Sequence, residues 1–150
     1  MIIVARTDPH HPQATALLQQ SHALMQSLFP PEDNFYLEVG DLVAPDIHFF
    51  TGREGDTILG TGALKLKPDY GEVKSMFVSE AARGKGVAAA ILRQIEDTAR
   101  DEGVTILKLE TGNVLHAAHR LYARHGFTKC GVFGDYVTAK SSIFMEKQLT

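Results

Sequence analysis

The stretch Met76-Phe77-Val78-Ser79-Glu80-Ala81-Ala82-Arg83-Gly84-Lys85-Gly86-Val87-Ala88 constrains this chain more than any other. An apolar strand runs into an Arg-Gly-Lys-Gly turn. The turn opens a helix in which Val87, Ile91, Leu92, Ile95 and Ala99 repeat at helical spacing. Glycines let a backbone approach a ligand closely. A helix start offers unpaired N–H groups and the positive end of the helix dipole. Arg83 and Lys85 add charge, so the turn has the composition of a phosphate cradle. A flexible surface turn before a helix is the plain alternative. Gly84, Gly86 and Ala89 also satisfy the dinucleotide pattern G-x-G-x-x-G/A. That pattern belongs to the first βα unit of a parallel sheet. Here about eighty residues of helix and hairpin come first. No Gly-Lys-Ser/Thr closes the loop, so the P-loop pattern is absent.

The remaining pattern sets this turn in context. Ile2 to Arg6 reads as a strand, and Pro12 opens a helix that Pro30-Pro31 ends. Glu32 to Leu42 is ambiguous between a short helix and a loop. Ile47 to Thr51 and Thr57 to Lys67 read as a hairpin around a turn at Gly52 to Asp56. Glu72 to Val78 makes a further strand. After the helix from Val87, stopped by Gly103, Val104 to Glu110 is a strand of buried type. Leu115, Ala118, Leu121 and Tyr122 mark another amphipathic helix. Phe127 to Val132 and Ser141 to Leu149 close the chain as strands. The order implies an α+β, or mixed α/β, fold: a largely antiparallel central sheet flanked by helices, one domain over 1–150.

Composition narrows the function classes. The chain has 150 residues, 44% of them hydrophobic and 22% charged, the balance of a soluble globular domain. A formal net charge of -3 argues against a nucleic-acid partner. No apolar run reaches the ~18 residues of a membrane span, and the N-terminus lacks a signal peptide's features. The lone Cys130 precludes an internal disulfide. A cytoplasmic protein without a membrane partner is the expectation.

Two motifs then carry a resemblance. Arg83-x-x-Gly86-x-Ala88 is similar to the Q/R-x-x-G-x-G/A motif of the GNAT superfamily of N-acetyltransferases. Downstream, Leu121-Tyr122-Ala123-Arg124-His125-Gly126-Phe127 resembles the family's L-Y-x-x-x-G-F signature. The segments Gly71–Met76, Leu109–Gly112, Phe133–Tyr136 and Ser142–Met145 resemble a bacterial branch of small single-domain members. The likeness spans nearly the whole chain and is weakest before residue 45.

The resemblance implies acetyl transfer from acetyl-coenzyme A to a small-molecule amine, directly and with no covalent enzyme intermediate. Backbone N–H groups of Arg83, Gly84, Lys85, Gly86, Val87 and Ala88 would hold the pyrophosphate. The strand end Met76-Phe77-Val78 would pair with the pantetheine arm. An N–H of Phe77 or Val78 would polarise the thioester carbonyl, a device worth roughly 10²–10³ in rate. An amine that is cationic at neutral pH must lose a proton, so a base or a water chain is needed. Glu72 matches the position of a family general base, and Glu110 is the runner-up. Tyr122 matches the tyrosine that serves the departing sulfur, or anchors the core. Many relatives carry Asn or Gln where Leu115 stands, and Asn113 is the candidate to replace it on the cofactor. Glu32, in the first loop, and Tyr136, in the last, are candidate acceptor contacts alongside Glu110. A non-catalytic acyl-coenzyme A sensor is the competing class. A homodimer through the closing strands is a further expectation.

Other features are plain. His116 and His119 lie three apart on a helix, but no carboxylate or cysteine completes a metal set at suitable spacing. Cys130 reads as a buried core residue.

Overall fold

The computed structural model describes residues 1–149. The chain opens with strand β1 (Ile3–Arg6) and helix α1 (Pro12–Leu28). Strands β2 (Ile47–Glu54), β3 (Thr57–Leu66) and β4 (Gly71–Val78) follow. Helix α2 (Val87–Asp101), strand β5 (Ile106–Gly112), helix α3 (His116–Arg124), and strands β6 (Thr128–Cys130) and β7 (Ser142–Gln148) complete the order. Seven strands form one sheet in the order β1-β2-β3-β4-β5-β7-β6. Every pairing is antiparallel except β4 with β5. The expected α+β class holds. The dinucleotide reading fails, because the glycine-rich turn follows the fourth strand of a mainly antiparallel sheet rather than the first of a parallel one.

Alternation along the strands builds two cores, since successive side chains face opposite ways. Phe49 and Ala63 face α1 and pack with Ala14, Leu18 and Leu42. Their neighbours Phe50 and Leu64 face the other layer, with Val87, Ile91 and Ile95 of α2 and Tyr122 of α3. Burying a side chain such as Ile91 or Leu18 contributes about 1.5–3 kcal/mol. Helix α2 ends as Gly103 requires: its φ is +79°, and the Val104 N–H returns to the Ala99 carbonyl at 2.9 Å.

Three local expectations need correction. The ambiguous stretch holds two short 3₁₀ turns, Pro31–Asp33 and Val39–Val43, and no α-helix. Strand β2 runs past Thr51 to Glu54, so the hairpin turn is tighter than the spacing suggested. Gly52 is a strand residue whose missing Cβ makes room for Val87 and Ile91 of α2, 3.1 and 3.3 Å from where that Cβ would stand. Cys130 is half-buried on β6, the last strand of the sheet, and is not in the core. No helix among the described residues is long and apolar enough to cross a membrane.

Candidate active site

The glycine-rich turn has the backbone geometry of an anion site. Gly84 and Gly86 take φ values of +83° and +79°, which favour glycine. Gly86 is also the N-cap of α2, and no side chain caps that helix. Among the described residues, no protein acceptor faces the N–H groups of Gly84, Gly86, Val87 or Ala88. The N–H groups of Arg83 and Lys85 behave differently. They close the turn onto the Glu80 and Ala82 carbonyls, each at 3.3 Å. The free donors are therefore the glycines and the first helical residues, narrower than the six-residue set expected. The Lys85 ammonium lies 3.3 Å from Glu54, across from the β2–β3 turn.

Strand β4 leaves its neighbour just before this turn. It pairs with β5 only at Gly71–Leu107 and Glu72–Lys108, and beyond them the two strands splay. A bulge between Thr61 and Ala63 of β3 shifts the register opposite Ser75, which has a φ of 58°, rare for a residue other than glycine. The buried Thr61 hydroxyl donates to the Ser75 carbonyl at 2.8 Å and pins the bulge. Further on, the Ser79 N–H bonds the Leu59 carbonyl at 2.9 Å. Bonded and non-bonded pairs alternate in an antiparallel ladder. Phe77 thus bonds Thr61, while Val78, opposite Gly60, turns its N–H away from β3 toward the opening. Of Phe77 and Val78, Val78 is the one whose N–H does not bond β3.

The splay opens a cleft with about 770 Å³ of empty space, its mouth included. Val73, Lys74, Ser75 and Met76 form one wall, Glu110 and Thr111 another; Leu115, Ala118 and Tyr122 come from the α3 side. Met25 of α1 and Phe29, the residue that caps its C-terminus, close the far side with Asp33, Asn34, Phe35 and Tyr36 of the following segment.

Glu110 lies in this cleft and accepts a hydrogen bond from the Ser142 hydroxyl at 2.8 Å. Burial pushes its carboxyl above the ordinary carboxylate range. The Ser142 bond and the Lys74 charge pull it down, while Glu72 and Asp33 push it up. Glu72 is placed differently. It is 4% exposed, accepts a short hydrogen bond from the Tyr136 hydroxyl, and lies 3.4 Å from the Lys74 ammonium. Neither Glu72 nor Tyr136 lines the cleft, because each is closed off by the other and by Lys74. Burial and the facing Glu72 charge hold the Tyr136 phenol well above its ordinary value, so it remains a donor.

Tyr122 is 6% exposed, packs edge-on against Phe127 with 5.7 Å between ring centroids, and lines the cleft. Burial, then the Glu110 charge, raise its phenol well above the ordinary value. It holds its proton at neutral pH and has no hydrogen-bond partner among the described residues. Leu115, the N-cap of α3, lines the same cleft. Asn113 is exposed, and its side-chain amide donates to the Lys140 carbonyl at 3.2 Å. That bond ties it to the β6–β7 connection.

Glu32 is exposed on its 3₁₀ turn and does not reach the cleft. Its neighbours Asp33 and Asn34 do, because a 3₁₀ turn rotates successive side chains by about a third of a circle. Sequence reasoning also missed Lys74, Thr61 and Ser142. The one signal for Thr61 was a β-branched residue between Gly60 and Gly62 in a strand. Of the histidine pair, His119 bonds the Gly112 carbonyl at 2.8 Å.

The acetyltransferase (GNAT) family profile matches residues 13–127. The chain is 37% identical to an IAA acetyltransferase of Azospirillum brasilense, over 99% of this chain and 98% of that one. It is 38% identical to the uncharacterized N-acetyltransferase YedL of Escherichia coli K12, over 99% and 96%. A Klebsiella pneumoniae structure assigned to the acyl-CoA N-acyltransferases superposes with a TM-score of 0.84 at 28% identity, covering 100% of this chain and 99% of the other. The PaiA N-acetyltransferase of Thermoplasma acidophilum, in complex with coenzyme A, shares the fold at a TM-score of 0.75 and 14% identity, with 99% of each chain covered.

Proposed function

The chain belongs to the GNAT acetyltransferase family, enzymes whose acyl donor is acetyl-coenzyme A, and from that premise we propose that it transfers the acetyl group directly to a small-molecule amine. The observation that carries the reading is the splay of β4 from β5, with unpaired N–H groups beyond it and a raised carboxyl within it. Residues 1–150 act as one domain in this reading.

Gly84, Gly86, Val87 and Ala88 hold the pyrophosphate on their N–H groups, aided by the α2 dipole. Met76, Phe77 and Val78 supply the strand edge for the pantetheine arm. The Val78 N–H meets the carbonyl oxygen as negative charge grows there, a contribution of roughly 10²–10³ in rate. Glu110 takes the amine proton, directly or through one water. Its elevated carboxyl suits that task, since a base works best with a pKa near the working pH. As the nitrogen–carbon bond forms and the carbon–sulfur bond breaks, Tyr122 gives its proton to the departing sulfur. Glu72 acts through its charge, which helps keep Glu110 basic.

Two measurements test the proposal. Thermal unfolding is compared with acetyl-coenzyme A and with NAD. A ligand at a hundred times its dissociation constant stabilises by about 2.7 kcal/mol, so a shift with the first alone is expected. Thiol release is then followed with a panel of amines and with IAA, the word in the Azospirillum relative's name. Release with non-amine acceptors alone would overturn the amine assignment.

A further inference from the structure

The acceptor end of the cleft has one sign of charge to offer. Among the described residues its lining holds two carboxylates, Asp33 and Glu110, and one cation, Lys74. An ammonium has three N–H donors. Lys74 donates to the Phe35 carbonyl at 3.0 Å and to the Tyr136 hydroxyl at 2.7 Å, and its charge pairs with the Glu72 carboxylate at 3.4 Å. The Lys74 side chain is 10% exposed. Two of its donors have partners and its charge is paired with Glu72, so an acceptor molecule's carboxylate would have to compete with Glu72 for it. Without it, such a group would lie unpaired beside Asp33 and Glu110, where burial and like charge both oppose it. An ammonium meets the opposite field.

A second, independent observation concerns Asn34. Its side-chain N–H donates to the Pro30 carbonyl at 3.4 Å. Its side-chain oxygen is buried and lacks a donor, the one such atom among the described residues. A buried acceptor left unmatched is costly, so a ligand that brings a donor is favoured there. Asp33 beside it accepts from the Ser141 hydroxyl at 2.8 Å and keeps further lone pairs. Met25, Phe29 and Phe35 add apolar surface to the same lining.

Resting on the acetyl-transfer reading, we infer that the acceptor is a small cationic amine that carries a second N–H or O–H donor across an apolar spacer and no carboxylate. The reacting nitrogen addresses Glu110, and the distal donor addresses the Asn34 oxygen and Asp33. Diamines and amino alcohols fit; amino acids do not.

The test uses matched compounds with the full chain. Thiol release is measured for 1,3-, 1,4- and 1,5-diamines, the corresponding monoamines and amino alcohols, and ornithine and lysine. Ornithine and lysine are the 1,4- and 1,5-diamines with a carboxylate added. The expected kcat/KM for the best diamine or amino alcohol exceeds that of its carboxylated or monoamine counterpart by about tenfold, the scale of one well-placed polar contact. Asn34→Leu should collapse the ratio of diamine to monoamine while the melting shift with acetyl-coenzyme A persists, which shows that the variant folds. Equal or faster turnover of ornithine or lysine overturns the inference, as does a ratio unmoved by N34L. A melting shift with acetyl-coenzyme A but no turnover of any compound in the series also overturns it and leaves the acetyl-donor reading intact. Absence of that shift instead sinks the acetyl-transfer reading.

Discussion

The glycine-rich turn and the cleft are built by different means. In the first, which is the donor side of the proposed function, β4, the Arg83–Gly86 turn and the start of α2 are contiguous in the chain, and the groups they present are backbone N–H. In the cleft, Asn34, Lys74 and Glu110 come from three separated segments, and the groups are side chains, each held by a partner from elsewhere in the chain. A backbone cradle depends on dihedral angles that local sequence dictates. A side-chain network depends on which distant segments meet. The turn should therefore break through backbone strain, and the cleft through loss of single polar atoms.

The largest effect expected is chemical and confined to the cleft. Glu110→Gln should lower kcat about 10²–10³-fold and leave the acetyl-coenzyme A melting shift in place. A normal rate would return the base role to water or Glu72. The reverse pattern is expected from Gly86→Val, which forces a β-branched residue to a φ of +79°. Strain of ~1–3 kcal/mol, together with a crowded anion site, should weaken acetyl-coenzyme A binding about tenfold to a hundredfold by calorimetry. If both variants lost donor binding equally, the turn and the cleft would not be separable.

Tyr136→Phe takes a donor from the buried Glu72 and should cost about 1–3 kcal/mol in urea unfolding. A smaller loss would mean that Lys74 alone satisfies that carboxylate. Tyr122→Phe should lower kcat by roughly tenfold, the low end for proton transfer assistance, with donor affinity unchanged. Unchanged turnover would leave Tyr122 a packing residue against Phe127.

The smallest effect is on stability against pH. The folded Glu110 carboxyl lies above its ordinary value of 4.5, so the folded state binds that proton more tightly than the unfolded chain. Its stabilising contribution is full below the unfolded value and is lost as pH rises through the folded value. Glu110→Gln should thus gain melting temperature over the parent at neutral pH but not at pH 4. The acid limb of kcat/KM should have its midpoint above 4.5 and disappear in that variant. A midpoint at or below 4.5 would place a different group in the rate-limiting ionisation.

Much of this was legible in the residues themselves. Helical spacing from Val87 to Ala99, the Gly103 stop and the Pro12 start are local, and the helices lie where those signals put them. The glycine-rich turn was readable because Gly84 and Gly86 carry positive φ irrespective of what packs around them. Glu110 and Tyr122 were named from their motifs and do share the cleft. The rest was not local. Whether Glu72 or Glu110 faces the opening depends on where β5 leaves β4 and on Tyr136, sixty-four residues away along the chain, closing over Glu72. Glu32 and Asp33 are adjacent and chemically alike, and only the rotation of a short 3₁₀ turn separates the exposed one from the one in the cleft.

By itself, then, the amino-acid order determined the main helices, the positive-φ glycine turn and the family resemblance, because each rests on dihedral preference, periodicity or motif within a short window. Tertiary structure alone decided which N–H of β4 turns away from β3, which carboxylate is open and which closed, and that the Lys74 charge is paired with Glu72. Those outcomes are set by strand register and by contacts between residues far apart in the chain, and a single register step or loop position reverses them.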